Sequence, residues 1–152
     1  MANPTPQLQL SNQLCFALYS ASRATTRAYG PILAELGLTY PQYLTMLVLW
    51  EAPEPLGVGK IGDLLNLDSG TLTPLLKRLQ QLDLVDRARD PADERRVVVS
   101  LTERGRQLQK DAADIPARIF RQYDIDGSTA RGLIRELTKI SESLNLHSSA
   151  SR

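Results

Sequence analysis

The chain has 152 residues, 42% of them hydrophobic and 23% charged, with a formal net charge of +1. That balance suits one folded domain with helical extensions and excludes a chain that is mainly disordered. No apolar run approaches the ~20 residues of a membrane helix, and the N-terminal MANPTPQLQL lacks the basic and apolar regions of a signal peptide. The single cysteine cannot form an intrachain disulfide. A reducing cytoplasm is therefore the expected compartment. The near-neutral charge does not advertise nucleic-acid binding, so any such reading must rest on where the charges sit.

In chain order, Ser11 is expected to cap a first helix that runs to about Tyr29 and ends at Gly30-Pro31. A short helical piece from Ile32 to Leu36 should follow and stop at Gly37. Thr39 and Gln42 have the spacing of a capping box, and Pro41 falls in the first turn, where its missing N–H costs little. That second helix continues through Tyr43, Met46, Leu47 and Trp50 to the stiff linker Glu51-Ala52-Pro53-Glu54-Pro55.

Shorter elements come next. Val58 to Leu65 reads as a small helix with Ile61, Leu64 and Leu65 inward. Asp68 should cap a longer helix, Ser69 to Leu82, that packs through Leu72, Leu75, Leu76 and Leu79. A strand from Leu84 to Arg89, the turn Asp90-Pro91-Ala92-Asp93 and a β-branched return strand from Arg96 to Leu101 make a hairpin. Thr102 caps a long helix, Glu103 to about Tyr123, interrupted at Pro116. Asp126-Gly127 breaks it, and Ser128 is expected to cap a last helix to Leu146. Ala130, Leu133, Leu137, Ile140 and Leu144 form a narrow seam on that helix, of the kind that meets another helix. The two ends, Asn3 to Pro6 and His147 to Arg152, are polar and expected to fray.

Short helix, three-residue link, longer helix and two-stranded hairpin make a winged helix-turn-helix pattern. The fold class is mainly α with a small β-hairpin wing (α+β). Residues 56–102 would form the DNA-binding region, and 8–51 with 103–146 the dimerisation and sensing helices of a single chain, 1–152. The start of the second helix offers Ser69, Gly70, Thr71 and Thr73, small enough to approach base edges in a major groove about 12 Å wide. Lys77 and Arg78 lie further along, where the helix would pass the backbone. Pro74, in the sixth helical position, should remove the hydrogen bond to Gly70 and strain the turn. The hairpin carries Arg87, Arg89, Arg95 and Arg96. Arg95 would reach an adjacent minor groove, with Asp93 holding its guanidinium by a charge-assisted bond.

The stretches LDSGTLTPLLKRL and DERRVVVSLTERG resemble the MarR family of dimeric winged-helix regulators. Asp93-x-Arg95 and Val97-x-Val99-x-Leu101-Thr102 match that family's wing signature. NQLCFALYSAS and LGLTYPQYLTMLVLWE resemble, more narrowly, its organic-hydroperoxide-sensing repressors, the OhrR group. The resemblance covers Leu10 to about Arg106. It implies a homodimer on double-stranded operator DNA; the residues themselves lead to no expectation of a cofactor, a metal, a membrane partner or an enzyme activity.

From composition alone, Cys15 reads as a buried structural cysteine. If Ser11 capped the helix, Cys15 would lie at its beginning, where the positive dipole end favours a thiolate. No Lys, Arg or His lies within seven residues of it. The resemblance reverses that reading: it implies that Cys15 is the redox sensor and that Tyr29 and Tyr40 hydrogen-bond it across the dimer. Tyr19, one turn away, and Tyr43 are read as packing. Organic hydroperoxide would be the signal, and Phe16, Leu36, Met46 and Leu47 would wall an apolar approach. Some members of the group have a second, resolving cysteine; this chain has none, so a low-molecular-weight thiol is expected to cap oxidised Cys15.

Three other readings stay open at this level. A MarR-type repressor could answer to a small aromatic ligand, with Cys15 structural. A thiol peroxidase would need a resolving cysteine or an activating cation, and neither is visible. A helical interaction module without DNA binding would not need the Asp93–Arg95 pair. His147 is the only histidine and lies in the tail, which leaves no metal site and no catalytic triad.

Overall fold

The computed structural model describes residues 5–150, with side chains through Leu146. Two short 3-10 turns, Pro6–Leu8 and Leu10–Asn12, precede α1 (Leu14–Ala34), α2 (Tyr40–Glu51), β1 (Leu56–Gly57), α3 (Val58–Leu65), α4 (Ser69–Gln81), β2 (Val85–Asp90), β3 (Asp93–Leu101), α5 (Glu103–Asp111), α6 (Ile115–Phe120) and α7 (Gly127–Ala150). The chain forms two compact units, the first ending at Ile115 and the second beginning at Pro116. No described helix is long and apolar enough to cross a membrane. The fraying expected of Asn3, Pro4 and the side chains from His147 onward falls outside the described residues.

The first unit is built on short, strongly specified elements. Asn66 ends α3 in the left-handed conformation (φ 53°), and Asp68 starts α4 by accepting a 2.8 Å hydrogen bond from the Thr71 N–H. The link between the two helices is therefore three residues long, as expected. Ile61 of α3 and Leu72 and Leu79 of α4 are fully buried (0% exposed), together with Val85 and Val99 of the sheet. Leu65 and Leu75 are half-buried, whereas Leu64 is not inward: it is 52% exposed. Burying apolar side chains of this size contributes roughly 1.5–3 kcal/mol each, enough to hold elements that could not be stable alone.

The sheet is antiparallel, in the order β1-β3-β2. Val85 pairs with Leu101 and Arg87 with Val99 along the hairpin, and Leu56 pairs with Val99 on the other side of β3. A bulge between Arg89 and Asp90 closes the hairpin at its tip. The two-residue strand β1 went unread in the sequence, because two residues carry no period.

Several helix limits differ from the sequence reading. Ser11 does not cap α1; it sits in the second 3-10 turn, and Gln13 is the N-cap residue without a side-chain cap. The segment before α1 is held instead by Asn12, whose Nδ2 donates to the Pro6 carbonyl (2.8 Å), and by Gln13, whose Nε2 donates to the Gln7 carbonyl (2.6 Å). Gly30-Pro31 does not end the helix. Burial of Ile32 and Leu33 (7% and 1% exposed) holds the following turn in register, and the stop comes at Gly37, φ 69°, where the Leu38 N–H returns to the Leu33 carbonyl at 3.1 Å. That is the glycine-terminated helix end expected at this position. The capping box of α2 is present, with the Thr39 N–H donating to Gln42 Oε1 at 2.9 Å.

After the wing, Thr102 caps α5 by accepting from the Gly105 N–H at 3.0 Å. The long helix expected from Glu103 to Tyr123 is two helices; the break falls at residues 112–114, and Pro116 takes the second position of α6, where a proline is compatible with helix geometry. In the second unit, Asp126 rather than Ser128 caps α7, accepting a 2.7 Å hydrogen bond from the Thr129 N–H. That bond, then a further one from the Thr129 side chain, lowers the Asp126 carboxyl below its ordinary range. On α7, Leu133, Leu137 and Leu144 are 48%, 41% and 63% exposed in the single chain.

Candidate functional site

The first part of the site is the face made by α4 and the hairpin. The Asp68 cap fixes the N-terminal turn of α4. Ser69, Gly70, Thr71, Lys77 and Arg78 stand exposed on this helix. Thr73 is half-buried and turns toward the wing. Pro74 lies inside α4 and is exposed, and so is Gly70, whose carbonyl the proline ring leaves without a helical donor. The hydrophobic anchors Leu72, Leu76 and Leu79 hold the helix on its other face (at most 1% exposed). That is the physical account of why a proline is tolerated there.

At the wing tip, Arg95 Nε donates to Asp93 Oδ1 at 3.1 Å, and the Arg95 main-chain N–H donates to the same oxygen at 3.1 Å. The side-chain bond first, and the main-chain bond second, hold the Asp93 carboxyl below its ordinary range. The Arg95 side chain is otherwise 91% exposed. Asp93 thus fixes the base of a side chain whose outer guanidinium nitrogens remain available. Arg89 stays exposed on the wing, donating to the Glu94 carbonyl at 2.6 Å.

The second part is the aromatic group of α1 and α2. The rings of Tyr29 and Tyr40 stand 4.6 Å apart and those of Tyr29 and Tyr43 5.7 Å apart, both pairs tilted. Tyr43 is buried and meets Trp50 edge-on at 6.4 Å. Burial, and secondarily the neighbouring Tyr40, raises the Tyr43 phenol above its ordinary range. Cys15 is exposed, which corrects the composition-based reading of a buried thiol. It is the second residue of α1, while Tyr29 lies fourteen residues along the same helix, roughly 21 Å at the helical rise. The chain therefore joins Tyr29 to Tyr40 but does not bring either to its own Cys15.

Of the apolar residues expected near the thiol, Phe16 and Leu47 are exposed, Leu36 is half-buried, and Met46 is fully buried in the core (0% exposed). Met46 is core and not wall. Tyr19 is not packed either: it is 58% exposed, accepts a 3.0 Å hydrogen bond from Arg23 and carries that guanidinium 5.5 Å from its ring centroid.

Comparisons with known proteins decide the family. Residues 27–112 match the family described as transcriptional regulator SarA/Rot. The organic hydroperoxide resistance transcriptional regulator of Bacillus subtilis is 47% identical over 145 residues, which span 95% of this chain and 98% of that protein. The chain belongs to the MarR family, in its organic-hydroperoxide-sensing group. It is a winged-helix transcriptional regulator. Among solved structures, reduced AbfR bound to DNA superposes on this MarR-family chain with a TM-score of 0.75 at 37% identity, covering 91% of this chain and 96% of that one. Overoxidised AbfR bound to DNA gives 0.73 at 38%, with the same coverage; AbfR is a protein of Staphylococcus epidermidis.

Two basic residues of this MarR-family surface escaped the sequence reading as site residues. Lys60 of α3 and Arg87 of β2 line the same cavity as Thr73, Arg95 and Arg96. Lys60 sits in a stretch that reads only as helix. Arg87 was noted as hairpin charge, but its direction depends on strand register, which periodicity over six residues does not settle.

Proposed function

We propose that this regulator binds operator DNA as a homodimer while Cys15 is reduced, and releases it once an organic hydroperoxide has oxidised Cys15. The observation that supports this most is the separation along α1. Cys15 is exposed at one end of the helix, and the Tyr29–Tyr40 pair stands about 21 Å along it. Phenolic O–H groups stabilise a thiolate by donating to it, so the tyrosines that serve Cys15 come from a second copy of the chain. Leu14, Phe16 and Tyr19 (65%, 42% and 58% exposed) leave the same stretch of α1 without apolar cover in the single chain, as expected of a surface that a second copy covers.

The chemistry balances without a cofactor. The Cys15 thiolate attacks the terminal, hydroxyl-bearing oxygen of the peroxide; the O–O bond breaks, that oxygen stays on sulfur as sulfenic acid, and the alkoxide leaves and takes a proton as the alcohol. A small thiol then attacks the sulfenic sulfur, forming a mixed disulfide and releasing water. Sulfur oxidation alone is a small change, and overoxidised AbfR is itself found on DNA. The bulk of the capping thiol is the stronger wedge. It parts Cys15 from the tyrosines, shifts the helices that join the two copies, and moves the paired α4 helices off half-sites about 34 Å apart. Ser69 and Thr71 face base edges, Lys77, Arg78 and Arg96 the backbone, and Arg95, held by Asp93, the minor groove. The protein acts in the cytoplasm, and its thiol reacts once per signalling event rather than in turnover.

The test uses a labelled duplex selected from a randomised pool by the reduced protein. Anisotropy titrations at fixed salt follow wild type and Cys15→Ser, before and after cumene hydroperoxide with a small thiol. Both should bind when reduced, and only wild type should let go. Release of Cys15→Ser would move the signal to another site, such as a ligand pocket.

A further inference from the structure

A cavity of about 420 Å³ opens between β1, the start of α3, the middle of α4 and the wing. Lys60, Arg87, Arg95 and Arg96 line it with Thr73, and no carboxylate is among the lining residues. Four cations thus converge on one cleft of a chain whose net charge is only +1. Such a local concentration focuses field and attracts an anion.

Two of the arginines are positioned from opposite walls. Arg87 Nε donates to Gln80 Oε1 of α4 at 2.8 Å, which ties the wing side chain to the recognition helix. Arg96 lies against β1: a methyl group on Gly57 would stand only 3.0 Å from Arg96 Nη2. The absence of a side chain at Gly57 leaves the guanidinium its place in the cleft. Asp90 approaches Arg96 Nη1 only at 4.0 Å, from outside the lining. Lys60 is exposed and has no ion pair among the described residues.

We infer that this cleft seats a backbone phosphate of duplex DNA, clamped by Lys60, Arg87 and Arg96 with the Thr73 hydroxyl as a further donor. The inference rests on the DNA-binding reading above and deepens it. If α4 lies in a major groove and the Arg95 tip in the adjacent minor groove, the strand separating the two grooves must pass between helix and wing, and the cleft occupies that position. Phosphate contacts carry no sequence information; they fix the register of the reading helix on the duplex. The clamp would thus hold the spacing between α4 and the wing tip while each reads its own groove.

The experiment measures anisotropy with reduced protein on the pool-selected duplex and on a scrambled duplex of equal length, at several salt concentrations. Lys60→Ala and Arg87→Ala should each weaken both duplexes by the same factor, roughly tenfold at moderate salt. Each should also reduce the slope of log K against log salt by about 1.8, one phosphate contact in each copy of the dimer. Lys110→Ala, exposed on α5, should change neither. An unchanged slope in both cleft variants while wild type still binds would overturn the clamp and leave the DNA-binding reading standing. Weakening confined to the selected duplex would overturn it too, because it would mean base reading. If wild type bound neither duplex, the DNA-binding reading would fall, and the clamp with it.

Discussion

The indole Nε1 of Trp50 donates a 2.8 Å hydrogen bond to the carbonyl oxygen of Gly105, joining the end of α2 to the first turn of α5. Gly105 is crowded on its other side as well. A Cβ there would collide with the Leu84 carbonyl oxygen, which already accepts from the Thr102 N–H at 3.1 Å. Trp50, through Tyr43 and Tyr29, also touches the aromatic group that contains Tyr40. One packed chain of rings thus runs from the proposed sensing tyrosines to the root of the wing.

That junction predicts two stability effects. Trp50→Phe keeps most of the apolar contact but leaves the Gly105 carbonyl without its donor, and should cost about 1–3 kcal/mol. Gly105→Ala forces the backbone of α5 away from Leu84 and should cost a similar 1–3 kcal/mol through overpacking. Urea unfolding followed by circular dichroism measures both. A Gly105→Ala protein as stable as wild type would mean that the close approach is easily relaxed.

For the proposed thiol chemistry, Tyr29→Phe and Tyr40→Phe remove only hydroxyl groups. A hydrogen bond to a charged group contributes roughly 1.5–3 kcal/mol, which corresponds to about a 10- to 100-fold slower reaction of Cys15 with cumene hydroperoxide at neutral pH. Operator affinity of the reduced protein should change little. Stopped-flow kinetics of sulfenic acid formation tests this; wild-type rates in both variants would remove the tyrosines from the sensing site.

The wing tip has a defined pH dependence. Asp93 is held below the ordinary carboxylate range by Arg95, so the pair favours the folded tip at pH values above the unfolded Asp value of about 3.9. That contribution is lost as pH falls through the lower, folded value. Between pH 5 and 8 this group should produce no pH dependence in DNA affinity. Carboxyl-carbon NMR should give Asp93 a midpoint below the ordinary value in wild type and one close to it in Arg95→Ala. Equal midpoints would show that the bond does not persist in solution.

The DNA-reading half was the more legible in the sequence. The limits of α3 and α4 are set by local chemistry at Asp68 and by a helical run of leucines, and both signals lie within a few residues. Helix ends decided by tertiary burial were not legible. The turn after Gly30-Pro31 stays helical because Ile32 and Leu33 find a core, which no local signal announces. Ser11 and Ser128 have the right residue type for caps, but Gln13 and Asp126 occupy the cap positions. The cleft beside the wing was hidden for a related reason: Lys60 and Arg87 are distant in sequence, and only the register of β2 against β3 turns Arg87 toward Lys60. For Cys15 the local residues pointed to a buried structural thiol, and the resemblance pointed to a redox sensor. The structure finds it exposed, because its stretch of α1 projects apolar residues that its own chain does not cover.

The exposed seam of α7 carries the last prediction. Leu133, Leu137 and Leu144 repeat at helical spacing and remain largely open in the single chain, an arrangement that a second copy would close. Leu137→Glu places a charge in the middle of that seam and should shift the proposed dimer to monomer in sedimentation velocity. Because two reading helices bind jointly with an effective concentration set by the dimer, separating them should cost about 100-fold or more in operator affinity. The α4 surface is untouched, so weak, salt-sensitive binding to any duplex should persist. A Leu137→Glu protein that remained dimeric with full affinity would place the dimer contact elsewhere, with the exposed stretch of α1 from Leu14 to Tyr19 as the next surface to vary.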